Sequence, residues 1–237
     1  LVGQGYQTNV SQNFNIFNSK FPLERLLYNN MGMGQGIKTG EPANVGMGSN
    51  KYKDKLASFF ARVMYNFNEK YYLNASVRLE GSSKFGSKAH PTLGPWGFFP
   101  AISASWNVKE EDFMRDVDLV NDLRFRVGYG VTGNMPGSSY LYAMLVAPGG
   151  DYVFSNGEFI QPWGPASNIN EFIRWEEKHE YNAGIDFAIL NERISGSLDG
   201  YFRNTTDLLY EYDVPVPPNP YGKKWDNYGQ IHNYGVE

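Results

Sequence analysis

The sequence predicts an all-β chain: an antiparallel, up-and-down transmembrane β-barrel, of which about eight strands are present, with long extracellular loops. Three observations predict it. Apolar and polar residues alternate in several separate segments. Short turns alternate with long loops along the chain. Aromatic residues collect at segment ends, where amphipathic rings favour the headgroup level of a membrane.

Composition agrees. The 237 residues include 17 Tyr, 16 Phe, 5 Trp and 26 Gly, a mixture that favours strands and turns. Mean hydropathy is negative, and no apolar run approaches the ~18 residues of a membrane helix. A membrane strand needs only about 9–11 residues, of which alternate ones are apolar. Cysteine is absent, which excludes a disulfide-stapled module, a thiol enzyme and a thiolate metal site. A net charge of −4 gives no basic footprint for nucleic acid. The opening LVGQGYQTNV lacks the basic start and apolar core of a signal peptide. The closing GVE reads as the first half of a strand, so the chain is expected to be an internal piece of a longer protein.

Residues 1–56 are expected to be mainly an extracellular loop following a barrel strand whose tail is Leu1 to Thr8. Gly, Asn and Met recur there without a period. Residues 57–237 are expected to supply strands and loops of one β-barrel domain. Ala57, Phe59, Ala61, Val63, Tyr65 and Phe67 alternate with a mixed set. A turn at 68–71 leads to Leu73, Ala75, Val77 and Leu79, alternating with Asn74, Ser76, Arg78 and Glu80. Further alternations run through Ile102, Ala104, Trp106 and Val108, and through Leu123, Phe125, Val127, Tyr129 and Val131. KEEDFMRDVDLVND between them predicts a short amphipathic helical turn. A second hairpin joins Tyr181–Ile189 to Ile194–Phe202 through Asn191-Glu192, and QIHNYGVE begins a last strand. Loops over 81–97, 133–178 and 207–229 are long, whereas the turns at 68–71 and 190–193 are short, the asymmetry of outer-membrane barrels.

Alternation alone does not say which face meets water. The polar sets carry Arg78 and Glu80, Arg124 and Arg126, and Asp199 and Arg203, among Ser, Asn and Gly. These six are the candidate lumen-facing residues. A soluble β-sandwich that binds glycans is the alternative, with the same apolar sets closed against one another.

No catalytic residue and no metal or cofactor site is predicted. Gly128, Gly130 and Gly133 satisfy GxGxxG, but NMPGSS follows where a dinucleotide site needs a helix; glycine on a strand face more simply relieves crowding. His90, His179 and His232 lack ligand spacing. Glu110, Glu111 and Asp112 are adjacent and do not form an acid/base pair, so a secreted hydrolase has little support. Candidate substrate contacts are aromatic residues of the loops: Trp163, Tyr140, Tyr142 and Tyr152 in the longest, with Trp96 and Trp225 in others. Flat rings stack on sugars and on apolar peptide side chains.

LASFFARVMYNFNEKYYLNASVRLEGSSKFG, WGFFPAISASW, LRFRVGYGVTGN, YNAGIDFAILNERISGSLDGYFRNTTDLL and NYGQIHNYGVE, in that order, resemble the barrel region of SusC/RagA-type TonB-linked outer membrane proteins. The resemblance covers about residues 56–237. It implies a barrel of about 22 strands closed by an N-terminal plug, set in outer-membrane lipid of a Gram-negative bacterium. It further implies import of oligosaccharides or peptides, a SusD-like surface lipoprotein as partner, and energy from TonB, reached through an N-terminal part that this sequence does not include.

Overall fold

The computed structural model describes residues 1–23, 25, 29–39, 46–149 and 152–237, without the side chains of Lys38, Thr39 and Tyr152. Its strands are β1 (Val2–Phe17), β2 (Gly46–Phe67), β3 (Tyr71–Ser82), β4 (Trp96–Asn107), β5 (Val120–Asn134), β6 (Val146–Pro148), β7 (Tyr152–Val153), β8 (Phe159–Ile160), β9 (Trp163–Pro165), β10 (Glu176–Ile189), β11 (Ile194–Thr206), β12 (Leu209–Asp213), β13 (Lys223–Asn227) and β14 (Gln230–Val236). Eight form one sheet in the order β1-β2-β3-β4-β5-β10-β11-β14. The other six pair in twos as β6-β9, β7-β8 and β12-β13, inside the loops.

The chain divides into two compact units, Leu1–Gln7 with Lys55–Glu237, and Thr8–Asp54. In the smaller unit, the Asn18 amide donates to the carbonyls of Met31 (2.9 Å) and Gly34 (3.1 Å), fixing a 3-10 turn at Met31–Met33.

In the larger unit, registers place the apolar sets together. Phe59, Ala61, Val63, Tyr65 and Phe67 of β2 lie opposite Leu79, Val77, Ala75, Leu73 and Tyr71 of β3. Directly opposed residues of an antiparallel pair share a face, and the pairing continues outward. Leu73, Ala104, Val127, Ala183, Gly200 and Val236 form one row across six strands. Next to it, Ala75, Ile102, Tyr129, Tyr181, Phe202 and Tyr234 form another. A row of rings runs beside the short turns, with centroid separations of 6.5 Å for Phe67–Tyr71, 6.4 Å for Tyr71–Trp106 and 6.1 Å for Trp106–Phe125.

This apolar face is bare. Val63, Ile102, Val127, Leu198 and Val236 are half or more exposed, and among the described residues no second sheet lies over it. A sandwich would bury this face, so the soluble alternative fails on this point. The buried cluster lies elsewhere and is mostly loop: Phe85, Ala89, Phe99, Val131, Ile173 and Trp175.

The short connections are tight. Asn68 and Glu69 adopt left-handed backbone, as hairpin turns require, and the Asn66 side chain accepts from the Glu69 amide at 3.0 Å. Leu190, Asn191 and Glu192 do the same at the second hairpin. The helical turn expected after β4 is two 3-10 turns, Val108–Glu110 and Asp112–Met114. The lower strand ends are staggered: β4 stops at Asn107, opposite Arg124, while β5 starts four residues earlier at Val120. That step is about 13 Å along the strand, the displacement produced when tilted strands meet one membrane plane.

Several details differ from the sequence expectation. Strand β1 reaches Phe17 and β2 begins at Gly46; in β1 one parity carries Val2, Tyr6, Val10, Phe14 and Ile16, an alternation the loop assignment overlooked, whereas the start of β2 is polar on both parities. Val108 is buried in a 3-10 turn rather than ending β4. Val131 joins the buried cluster instead of the bare face, because the β4–β5 pairing ends at Ala101 and Gly130, just before it.

A candidate transport wall and its outer loops

The second face of the sheet collects the ionisable residues. Arg78 and Glu80 pair along β3. The Arg126 guanidinium takes Asp186 in a fork, both bonds 2.8 Å, and reaches Asp199 at 3.0 Å. Arg203 pairs with Glu180 at 3.1 Å, which Lys178 also approaches at 3.2 Å. Arg124 and Arg126 lie opposite Asn107 and Ser105, so all six sequence candidates, Arg78, Glu80, Arg124, Arg126, Asp199 and Arg203, share this face. Asp186 and Glu180 complete the ion pairs. Both already stand in the polar parity of their strand, the signal by which charge matching across strands could have found them.

Between the pairs lie neutral donors and acceptors. Asn66, Tyr72, Asn74, Ser103, Ser105 and Asn182 line a shallow recess, and the Arg62 side chain donates to Asn74 at 2.7 Å. GxGxxG occupies the second half of β5, and among the described residues no helix follows before β6, where a pyrophosphate site needs a strand-to-helix turn. Gly184 explains its own identity. It sits in register between Arg126 and Asp199, and a side chain there would overlap the Asp199 carboxylate and meet Arg126 at 2.9 Å.

At the short-turn end, Glu111 accepts from Lys70 (3.0 Å), the Tyr71 hydroxyl (2.6 Å) and the Trp106 indole (3.1 Å). These bonds, Tyr71 first, lower its pKa to about 2, and Glu111 raises that of Lys70 in return. One carboxylate thus ties the turn after β4 to the turn before β3. The histidines have plain roles. His90 Nδ1 accepts from the Thr92 and Leu93 amides at 3.3 and 3.2 Å, and His179 Nδ1 shares a 3.0 Å bond with the Tyr129 hydroxyl.

At the opposite end, two loops are joined by asparagines. The Asn168 amide donates to the Tyr221 and Lys223 carbonyls at 2.6 and 2.8 Å. Asn170 donates to the Trp225 carbonyl at 2.9 Å. Asn227 donates to the Arg174 and Asp207 carbonyls at 2.9 and 2.7 Å and accepts from the Arg174 amide at 2.9 Å. Arg174 pairs with Asp207 at 2.5 Å, which raises the guanidinium pKa further and keeps it charged. Beneath them Ile173 is fully buried, and the Trp175 indole donates to the Pro95 carbonyl at 3.2 Å. These asparagines escaped the sequence reading; the Asn-x-Asn at 168 and 170 is the one visible hint.

The aromatic candidates scatter. Trp163 opens β9 opposite Pro148 and is 67% exposed. Tyr140 is exposed with left-handed backbone, and the Tyr142 ring lies over Gly86. The Tyr152 side chain is outside the described residues. Trp96 corrects the loop assignment: it is the first residue of β4 and stacks on Phe59, with centroids 6.0 Å apart. Its partner Gly81 puts it on the bare apolar face, as a ring at the membrane boundary. Trp225 lies on β13 and packs against the buried loop cluster.

Comparison with known proteins decides the family. The profile described as TonB dependent receptor-like, β-barrel matches residues 2–237. The chain belongs to this family. It is 35% identical over 187 residues to TonB-dependent receptor SusC of Bacteroides thetaiotaomicron, covering 78% of this chain and 18% of that protein. It is 36% identical over 183 residues to TonB-dependent receptor P39 of Formosa agariphila, covering 77% and 16%. The structure superposes on the RagAB peptide transporter with a TM-score of 0.78 at 23% identity, over 98% of this chain and 24% of that one. The chain therefore spans less than a fifth of the curated relatives it matches. As a member of this family of barrels it resides in the outer membrane of a Gram-negative bacterium, and the family is not one of enzymes.

Proposed function

We propose that the chain is part of the wall of an outer-membrane importer that takes up oligosaccharides or peptides, works with a SusD-like surface lipoprotein and draws energy from TonB. One observation carries this reading. A single sheet presents a bare apolar face on one side and an ion-paired, hydrogen-bonding face on the other. Hydrocarbon satisfies the first face and water in a lumen the second. Arg78, Glu80, Arg124, Arg126, Asp199 and Arg203 then line the lumen. The looped end, tied down by asparagines, is the extracellular mouth, and Tyr140, Tyr142 and Trp163 are its candidate substrate contacts. The likeness to SusC and to the RagAB peptide transporter supports both substrate classes and does not choose between them.

The test is growth of a strain lacking the complete transporter on panels of oligosaccharides and of peptides as sole nutrient. Loss on one panel, restored by the gene and abolished by collapsing the proton gradient, is the expected result. Uptake that survives deletion on every panel overturns the reading.

A further inference from the structure

The ladder between β4 and β5 stops at Ala101 and Gly130, short of the ends of both strands. Beyond that point β4 keeps β3 as its partner and β5 keeps β10, so the wall forks at its looped end. A cavity of about 390 Å³ lies there, with Leu93, Trp96, Phe98 and Trp175 as its apolar lining. Trp96 stands on the bare apolar face, and Phe98 shares its parity and is half exposed. Glu177, also in the lining, has the parity of Tyr181 on that same face. The cavity therefore opens to the outside of the wall, at the membrane boundary. Its lining is preformed: the Trp175 indole donates to the Pro95 carbonyl at 3.2 Å and meets Phe99 edge-on at 5.4 Å.

Three polar side chains complete the lining: His90, Arg174 and Glu177. Asp207 engages one terminal nitrogen of Arg174, whose side chain is still 43% exposed; a guanidinium has five donors, in a fork that fits phosphate. His90 Nδ1 accepts from the Thr92 and Leu93 amides, so the ring proton sits on Nε2 and that nitrogen is a donor. Glu177 accepts hydrogen bonds and repels a bare phosphate; a sugar that bears a phosphate offers it hydroxyl or amide donors while Arg174 and His90 take the anion. An apolar lining with a few convergent polar groups, in a volume within the ~300–1,000 Å³ of small-molecule sites, is what a ligand of mixed character needs. We infer that this cavity binds a phosphorylated glycolipid of the outer leaflet, with an acyl chain against Trp96 and Phe98 and the sugar phosphate at Arg174 and His90. The inference rests on the facing of the wall in the proposed function and is independent of what the transporter imports.

The test titrates the complete transporter, stripped of lipid in detergent, with the phosphorylated glycolipid purified from the same outer membrane, and reads the first bound copy by native mass spectrometry. Removing the phosphates from the glycolipid should weaken that copy by about tenfold or more. Arg174→Gln, which removes the charge, and Leu93→Trp, which fills the cavity, should each do the same, while Leu198→Ala, elsewhere on the bare face, should leave binding unchanged. Inorganic phosphate should not displace the glycolipid. Equal binding of the dephosphorylated glycolipid, displacement by inorganic phosphate, preference for an ethanolamine phospholipid, or undiminished binding by Leu93→Trp overturns the inference. The first three use the unmodified protein and decide the matter even where a variant fails to fold. Uptake on the nutrient panels should persist in both cavity variants, so a failed titration with uptake intact removes this site alone. Uptake that survives deletion of the unmodified gene removes the proposed import and leaves the titration to be read by itself.

Discussion

Val127→Arg puts the facing of the wall at stake. Val127 is the central residue of the fifteen-residue β5, seven positions from Val120 and seven from Asn134. It lies two positions from Phe125 in the ring row beside the short turns and four from Val131 in the buried loop cluster, inside the apolar band of the strand. Its cross-strand neighbours are Ala104 and Ala183, it is 56% exposed, and neither neighbour can pair with an introduced cation. An arginine in this band costs about 1–4 kcal/mol depending on depth, or roughly 5- to 900-fold in the folding equilibrium. The control is Ser103→Arg, on the opposite face of the adjacent strand, where water is expected and the cost falls within about 0.5 kcal/mol. Urea titration of the complete protein folded into lipid vesicles reads the equilibrium, and heat-modifiable mobility of outer-membrane fractions reads the surface level. Val127→Arg should lose most of both while Ser103→Arg keeps both. Equal behaviour of the two variants, or loss for Ser103→Arg alone, would refute the assigned faces.

Three other outcomes follow from the side-chain geometry. Gly184→Val forces a side chain between Arg126 and Asp199 and should destabilise the folded barrel by about 1–3 kcal/mol in the same titration; Gly200→Val, which meets only the Ala183 carbonyl at 3.9 Å, should not. Glu111→Gln should lower the denaturation midpoint at neutral pH. The folded carboxyl, at about 2, lies below its ordinary 4.5, so its stabilisation is present above the ordinary value and fades as pH falls from there toward 2. A pH series should show the variant and the parent converging as the medium is acidified. Asn227→Ala removes two bonds to Arg174 in the loop before β10 and one to the Asp207 carbonyl ahead of β12, leaving partly buried backbone groups without them at about 1–3 kcal/mol. Hydrogen exchange should speed up at residues 168–175 and 207–213 while the wall strands stay protected.

What the sequence reveals tracks where hydrocarbon imposes a pattern. Strands β3, β4, β5, β10 and β11 show themselves because one parity must be apolar for the length of the crossing. The same strand becomes silent where that demand ends. In β2, Lys51, Lys53 and Lys55 alternate with Asn50, Tyr52 and Asp54, so both faces are polar and no period survives, though the backbone stays extended. The hairpins inside the loops are silent for a different reason. Strands β7 and β8 have two residues each and β6 and β9 three, too few for any periodicity. Their neighbour, the segment 168–174, is held by side-chain amides that imitate a strand's hydrogen bonds without its dihedral pattern. Trp96 was misplaced because a strand-end ring and a loop ring look alike in sequence; only its register with Gly81 and the stack on Phe59 separate them.

The polar face has a code of its own, written in glycine. Adjacent strands lie about 4.8 Å apart, so a guanidinium reaching a carboxylate two strands away must pass over the strand between. Any side chain on that strand at the same level stands in the way. Arg126, Gly184 and Asp199 occupy three successive strands in one row, and the missing side chain in the middle lets the outer two meet at 3.0 Å. The same exchange recurs one row up, where Gly128 yields room to Asn182, and again where Gly235 yields it to Tyr201. Glycine normally weakens a strand. Here its cost is set against ion pairs and hydrogen bonds that link strands beyond nearest neighbours, which stiffens the sheet. A glycine in the polar parity of a barrel strand, flanked in register by opposite charges, therefore marks a linkage across three strands, readable from sequence once the register is known.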